Sequence, residues 1–155
     1  DGVVIASGVV AFGPVGEMPD SALLDLFLIN TLGPIRVVRA ALPHLVASAS
    51  EGRSPFVVSL SAVVAEQPTA GMAAYSASKA AAAAAMDAVR REFRRVKVQV
   101  IDARPPHTET GLATRPLAGT APKMADGLAP RVVAERIVMA VERGETVVGP
   151  GEFSS

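Results

Sequence analysis

Residues 56–103 read FVVSLSAVVAEQPTAGMAAYSASKAAAAAAMDAVRREFRRVKVQVIDA, and the pattern changes twice along that stretch. Phe56 to Ser61 is a short apolar run rich in β-branched residues, as expected of a buried strand. From Ala73 to about Arg94 the sequence turns helical, with the alanines from Ala80 to Ala85 giving high helix propensity and almost no side-chain bulk. Lys97 to Asp102 then returns to strand-like character. Strand, helix and strand in this order make a βαβ unit, which commits the chain to the α/β class.

The same alternation continues outward. Gly2 to Ser7 and Thr146 to Gly149 read as two more strands, and Ser21 to about Ser48 and Pro130 to Arg143 as two more helices. Pro130 suits a first-turn position, Gly144 follows the end, and Val133, Ile137 and Val141 share one face. Nearly continuous hydrophobicity in the strands predicts a doubly wound parallel sheet of about four strands with helices on both faces. Right-handed crossovers would place a ligand crevice beyond the carboxyl ends of the strands, at Ser7-Gly8, Ser61-Ala62 and Arg104-Pro105-Pro106. Residues 103–128 form a long loop rich in proline and threonine, a length that usually serves function. An apolar strand at the start of the chain leaves a sheet edge to be covered, so further strands are expected upstream.

Composition narrows the function. The 155 residues carry 15 basic and 15 acidic side chains, so nucleic acid is not expected as a partner. Arg90, Arg91, Arg94, Arg95 and Lys97 read as a solvated face complementing a helix C-terminus. The absence of cysteine removes disulfides and thiolate chemistry, and it suits a reducing cytoplasm. His44 and His107 are too far apart for zinc-ligand spacing, so no metal is expected. The longest uncharged run, Gly2 to Gly16, is too short and too broken to span a bilayer, and no membrane segment is expected.

Tyr75 and Lys79 are four apart in a helical pattern, so their side chains rise from one face. A neighbouring ammonium favours the phenolate and is expected to lower the tyrosine pKa into a range useful for proton transfer. Ser59 and Ser61 lie at the carboxyl end of the preceding strand, where a hydroxyl can donate to an oxygen gaining negative charge. Pro34 offers no N–H to the carbonyl of Asn30, so a kink with a water bound at that carbonyl is one reading and a plain kink another.

Tyr75-Ser76-Ala77-Ser78-Lys79-Ala80-Ala81, preceded by Gly71-Met72-Ala73-Ala74, resembles the short-chain dehydrogenase/reductase family. Asn30-Thr31-Leu32-Gly33 and Ala41-Leu42-Pro43 are similar to its Asn-x-x-Gly helix, and Arg104-Pro105-Pro106-His107-Thr108-Glu109-Thr110 to its Pro-Gly loop. The resemblance implies a Rossmann-like fold, of which residues 1–155 would be the later-strand, catalytic part, with 103–128 as substrate loop. It implies an NAD- or NADP-dependent oxidoreductase acting on a small carbonyl or secondary alcohol. Tyr75 would exchange the proton, Lys79 hold ribose and tune Tyr75, Ser61 polarise the carbonyl and Asn30 support a relay water. Ser7, Gly8, Tyr75, Lys79, Pro105, Thr108 and Thr110 would meet the cofactor. The helix of Asn30 and the alanine-rich helix would pair across a two-fold axis in a homodimer or homotetramer.

The chain also departs from that family. Ile5-Ala6-Ser7-Gly8 stands where an Asn-Asn-Ala-Gly run is usual, and the usual spacing to the tyrosine falls on Ala62 rather than Ser61. The Thr-Gly-x-x-x-Gly-x-Gly phosphate loop is absent from these 155 residues, as is the residue that selects NAD or NADP. A catalytically silent oligomerisation or binding module on the same scaffold is therefore the alternative.

Overall fold

The computed structural model describes residues 1–153, which leaves the last two residues of the expected domain outside the described residues. Four strands, β1 (Gly2–Ile5), β2 (Phe56–Leu60), β3 (Gln99–Ala103) and β4 (Val147–Val148), lie in the order β1-β2-β3-β4. All three pairings are parallel, with Val57 opposite Val3 and Val100, and Ser59 opposite Ile5 and Asp102. Between them run α1 (Asp20–Phe27), a π-helical turn over Leu28–Leu32, α2 (Gly33–Ser50), α3 (Ala73–Phe93) and α4 (Pro130–Arg143).

Side chains alternate across the sheet, and each face has its own core. On one face Ile5, Val57 and Val100 pack with Val38 and Leu45 of α2 and Met86 and Phe93 of α3. On the other, Val58, Ile101, Ala103 and Val148 meet Val133, Ile137 and Ala140 of α4. Burying each large aliphatic side chain of this kind contributes about 2 kcal/mol. The parallel α/β sheet with helices on both faces is thus as the sequence predicts.

The handedness expectation needs correction. The strands are parallel and laid down in one direction, yet α2 and α3 cross on one face and α4 on the other. The third crossover therefore has the opposite hand to the first two. Its long 103–128 connection lets the chain pass the carboxyl edge of the sheet before α4 begins.

That connection also closes over a third cluster, formed by Val10, Ala11, Phe12, Leu26, Val64 and Tyr75, against which Leu112, Ala113, Ala118 and Ala121 pack. Leu117 N–H donates to Val10 O at 2.8 Å and Phe12 N–H to Ala118 O at 2.9 Å. Gly119, with φ +71°, lies so close to Phe12 O that a Cβ would sit 1.8 Å from it. Only glycine permits that approach.

The helical run Asp20–Ser50 is, by length and composition, apolar enough to cross a membrane, which the sequence reading passed over. In the structure it lies along the sheet, with Ala22, Leu26, Asn30, Thr31, Pro34, Val38, Leu45 and Ser48 buried. Its outward side is apolar as well, with Leu24, Phe27, Leu28, Leu32, Ile35 and Val37 exposed. At one edge of the sheet, Val4 of β1 is 55% exposed.

Candidate active site

Three chain segments meet at the carboxyl end of the sheet. The first is the turn after β1, held by Asn30. Within the helical run the residue after Gly33 is Pro34, which cannot donate an i−4 bond, and the helix widens there into the π turn that carries Asn30. The Asn30 side chain is 1% exposed. Its Oδ1 accepts from Val9 N at 2.9 Å, and its Nδ2 donates to Val9 O at 2.9 Å and to Ser78 Oγ at 3.0 Å. The amide is thereby spent on fixing the Gly8–Val9 turn to α3.

Ser78 is a link that sequence reasoning missed. Its hydroxyl donates back to Tyr75 O at 2.8 Å while accepting from Asn30, and its own carbonyl accepts from Thr31 Oγ1 at 2.9 Å. A serine in a helix interior often back-bonds to the preceding turn. Here the same serine, accepting from Asn30 and Thr31, joins the π turn to the first turns of α3.

α3 supplies Tyr75 and Lys79. Tyr75 is 7% exposed, and its ring packs among Val10, Phe12, Leu26 and Val64. Among the described residues its hydroxyl makes no hydrogen bond. Lys79, 5% exposed, donates through Nζ to Leu60 O at 3.0 Å, and Nζ lies 6.0 Å from the Tyr75 ring centroid. A Cβ placed on Gly8 would lie 3.3 Å from both Lys79 Nζ and Asn30 Oδ1. Tyr75, Lys79, Asn30 and Gly8 thus lie together at the carboxyl end of the sheet.

The electrostatics differ from expectation. Burial pushes the Tyr75 phenol up to about 12 rather than letting Lys79 bring it down. Burial also lowers Lys79 to about 8, an effect opposed by the charge of Asp102. An ammonium bonded to a strand carbonyl beneath the ring does not offset removal of the phenolate from water.

Ser61 requires a second correction. It is 3% exposed, and its hydroxyl donates to Asp102 Oδ1 at 2.6 Å, so its hydrogen faces β3 rather than the crevice. Ala62, the other candidate position, packs in the cluster that holds Tyr75. Asp102 is itself a residue the sequence reading passed over. A lone acid in the apolar run Val98–Ala103 is the signal that would have found it, because buried carboxylates require partners.

The remaining residues lie on the rim. Pro105 O accepts from Val63 N at 3.1 Å, Thr108 Oγ1 donates to Pro106 O at 2.9 Å, and Thr110 N–H donates to Thr108 O at 2.8 Å. Ser7 and Thr110 are exposed, and no hydrogen bond among the described residues ties them to the Tyr75–Lys79 pair. No group of three metal-ligating side chains occurs among the described residues.

The residues present fit one end of a nicotinamide cofactor. Lys79 spends one of its three N–H bonds on Leu60, and the bare Gly8 leaves open the space beside it that a side chain would fill. A parallel α/β sheet with a tyrosine–lysine pair at its carboxyl edge defines a class, the doubly wound α/β domains. More particularly, the chain belongs to the short-chain dehydrogenase family, whose model, described as short chain dehydrogenase, matches residues 1–119.

Relatives agree. A dehydrogenase/reductase SDR family protein 7-like from Anopheles gambiae is 33% identical over 129 residues, covering 79% of this chain and 39% of its own length. A 3-ketoacyl-(acyl-carrier-protein) reductase from Brucella melitensis complexed with NADH superposes with TM-score 0.85 at 19% identity, over 99% of this chain and 67% of that one. A short-chain dehydrogenase from Sphingobium yanoikuyae in complex with NADPH gives 0.82 at 20% identity, over 95% and 56%. The chain therefore spans about two fifths of the curated relative it matches.

Proposed function

We propose that this chain is the catalytic part of an NAD- or NADP-dependent oxidoreductase that transfers a hydride between the nicotinamide and a small carbonyl or secondary alcohol. The observation that carries the reading is the placement of the Tyr75 phenol over the buried Lys79 ammonium beside Gly8. When bound, the cofactor supplies or accepts the hydride. The proton, ribose and carboxamide roles fall to residues of this chain.

With its pKa near 12, the Tyr75 phenol is protonated at neutral pH and suits donation to a carbonyl oxygen, the reductive direction. Lys79 would bind the ribose hydroxyls with its unspent N–H bonds, next to Gly8 and Ser7. Pro105, Thr108 and Thr110 would orient the carboxamide from the loop. Asn30 would fix the turn and offer its main-chain carbonyl to a relay water. With the Ser61 hydrogen held by Asp102, Tyr75 polarises the carbonyl alone. The apolar lining from Phe12, Val64, Met72 and Leu112 favours an uncharged substrate. The apolar outward side of α1 and the π turn would pair with a second copy of the chain, and the lack of cysteine suits a cytoplasmic setting.

Tyr75 is the one tyrosine and there is no tryptophan, so intrinsic fluorescence reports on this site alone. Saturable quenching by NADH or NADPH, with cofactor oxidation dependent on an added uncharged ketone, is the expected result. Failure of both cofactors to bind at millimolar concentration would leave the silent scaffold in its place.

A further inference from the structure

Below Tyr75 the sheet face changes character. Val57, Val98 and Val100 pack beneath Met86 and Phe93, but one step toward the carboxyl ends the same face presents Ser59, Ser61 and Asp102 to the first turns of α3. Asp102 is 3% exposed, and both of its oxygens are engaged. Oδ1 accepts from Ser61 Oγ at 2.6 Å, and Oδ2 accepts from Arg104 Nε at 2.6 Å. Arg104 in turn reaches Glu66 Oε1 at 2.5 Å.

These contacts enclose one segment. Ser61 N–H donates to Ala103 O at 2.9 Å and Val63 N–H to Pro105 O at 3.1 Å. The stretch from Leu60 to Glu66 is thereby clipped to β3 and the residues after it. At its start Leu60 O receives the Lys79 ammonium, and in its middle Ala62, Val63 and Val64 back the Tyr75 ring. A buried carboxylate thus anchors the segment that holds the one buried ammonium of the site.

We propose that Asp102 is the positioning residue of this site, holding Lys79 in place and in its charged form through the Ser61–Leu60 segment and through its own negative charge. Asp102 touches neither the phenol nor the crevice, and it acts through Lys79. Buried charge needs a partner, and Asp102 is the acid whose charge opposes the desolvation of Lys79. The other charged, titratable or polar groups around the pair are Tyr75 on α3, Arg104 after β3, Glu66 after β2 and the neutral amide of Asn30. Arg104 and Glu66 pair with each other. The inference rests on reading Lys79 as the cation of the site, but it needs neither cofactor nor substrate to be tested.

The chain has three lysines, Lys79, Lys97 and Lys123, and six aspartates, so selective 13C labelling of lysine and aspartate gives an assignable NMR titration. In the unaltered protein the Lys79 Cε signal is expected to titrate near pH 8, and the Asp102 carboxyl carbon to show an inflection at the same pH. In Asp102→Asn the Lys79 midpoint is expected to fall by about one unit or more, with Lys97 and Lys123 unmoved. Lys79→Met is expected to abolish the Asp102 inflection. A Lys79 midpoint unchanged in folded Asp102→Asn overturns the proposal. Should that variant not fold, an Asp102 signal that ignores Lys79 titration in the unaltered protein overturns it equally. Cofactor binding is scored separately, so a chain that binds no NADH or NADPH yet passes the NMR test rejects the oxidoreductase reading and not this one.

Discussion

Raising the pH from about 7 to about 10 is expected to stabilise the folded chain. Lys79 has an ordinary pKa of 10.5 that burial lowers to about 8. Between those values the unfolded chain binds a proton at this site that the folded chain has released, and stability rises with pH wherever the unfolded state holds more protons. The contribution is therefore present above 10.5 and is lost as the pH falls through 8. A difference of 2.5 units corresponds to about 3 kcal/mol, since each unit is worth about 1.4 kcal/mol. Tyr75 works in the opposite sense at higher pH. Its pKa is raised from 10.0 to about 12, so its contribution is intact below 10 and disappears as the pH climbs through 12. The two together place maximum stability near pH 10. Urea unfolding followed by circular dichroism across that range measures it, with Lys79→Met expected to flatten the rise between 8 and 10. A stability that is level or falling over that interval in the unaltered protein refutes the reasoning about the buried ammonium.

Two further outcomes follow from the geometry. Asn30→Ala removes three hydrogen bonds and leaves Val9 N and O unpaired near α3, so it is expected to cost about 3 kcal/mol in urea unfolding as well as weakening cofactor binding. Leu28→Glu together with Leu32→Glu puts charges on the exposed apolar side of the π turn, and sedimentation is expected to report a smaller species than the unaltered protein with circular dichroism unchanged.

The parts of the fold legible in the sequence are those set by local periodicity. β2, α3 and β3 lie within a residue or two of where the apolar patterns end, because their strands are buried on both faces and α3 carries its own propensity. The face taken by α4 was not legible. Its apolar stripe predicts a buried side but not which side of the sheet receives it. Pro34 announced an irregularity near Asn30, but its form as a π turn depends on Val9 and Ser78, which are distant in sequence. Tyr75 and Lys79 were legible because a helix fixes their common face. Ser61 was misread for the opposite reason: where a hydroxyl just past a strand end points is decided by side chains of the adjacent strand, and Asp102, the ladder partner of Ser59, captures it. The same blindness to cross-strand partners explains the expectation that Lys79 would lower the phenol pKa, since the burial of both groups emerges only when the 103–128 loop closes over Phe12 and Tyr75.

The central claim is that the Tyr75 phenol delivers the proton as a carbonyl is reduced. The measurement that tests it most directly is the cofactor- and ketone-dependent turnover of Tyr75→Phe, a change that deletes one oxygen from a ring whose packing is otherwise kept. Turnover is expected to fall by roughly 100-fold to 10,000-fold while NADH or NADPH affinity and the urea midpoint stay close to those of the unaltered protein. Turnover by Tyr75→Phe equal to that of the unaltered protein would contradict the account.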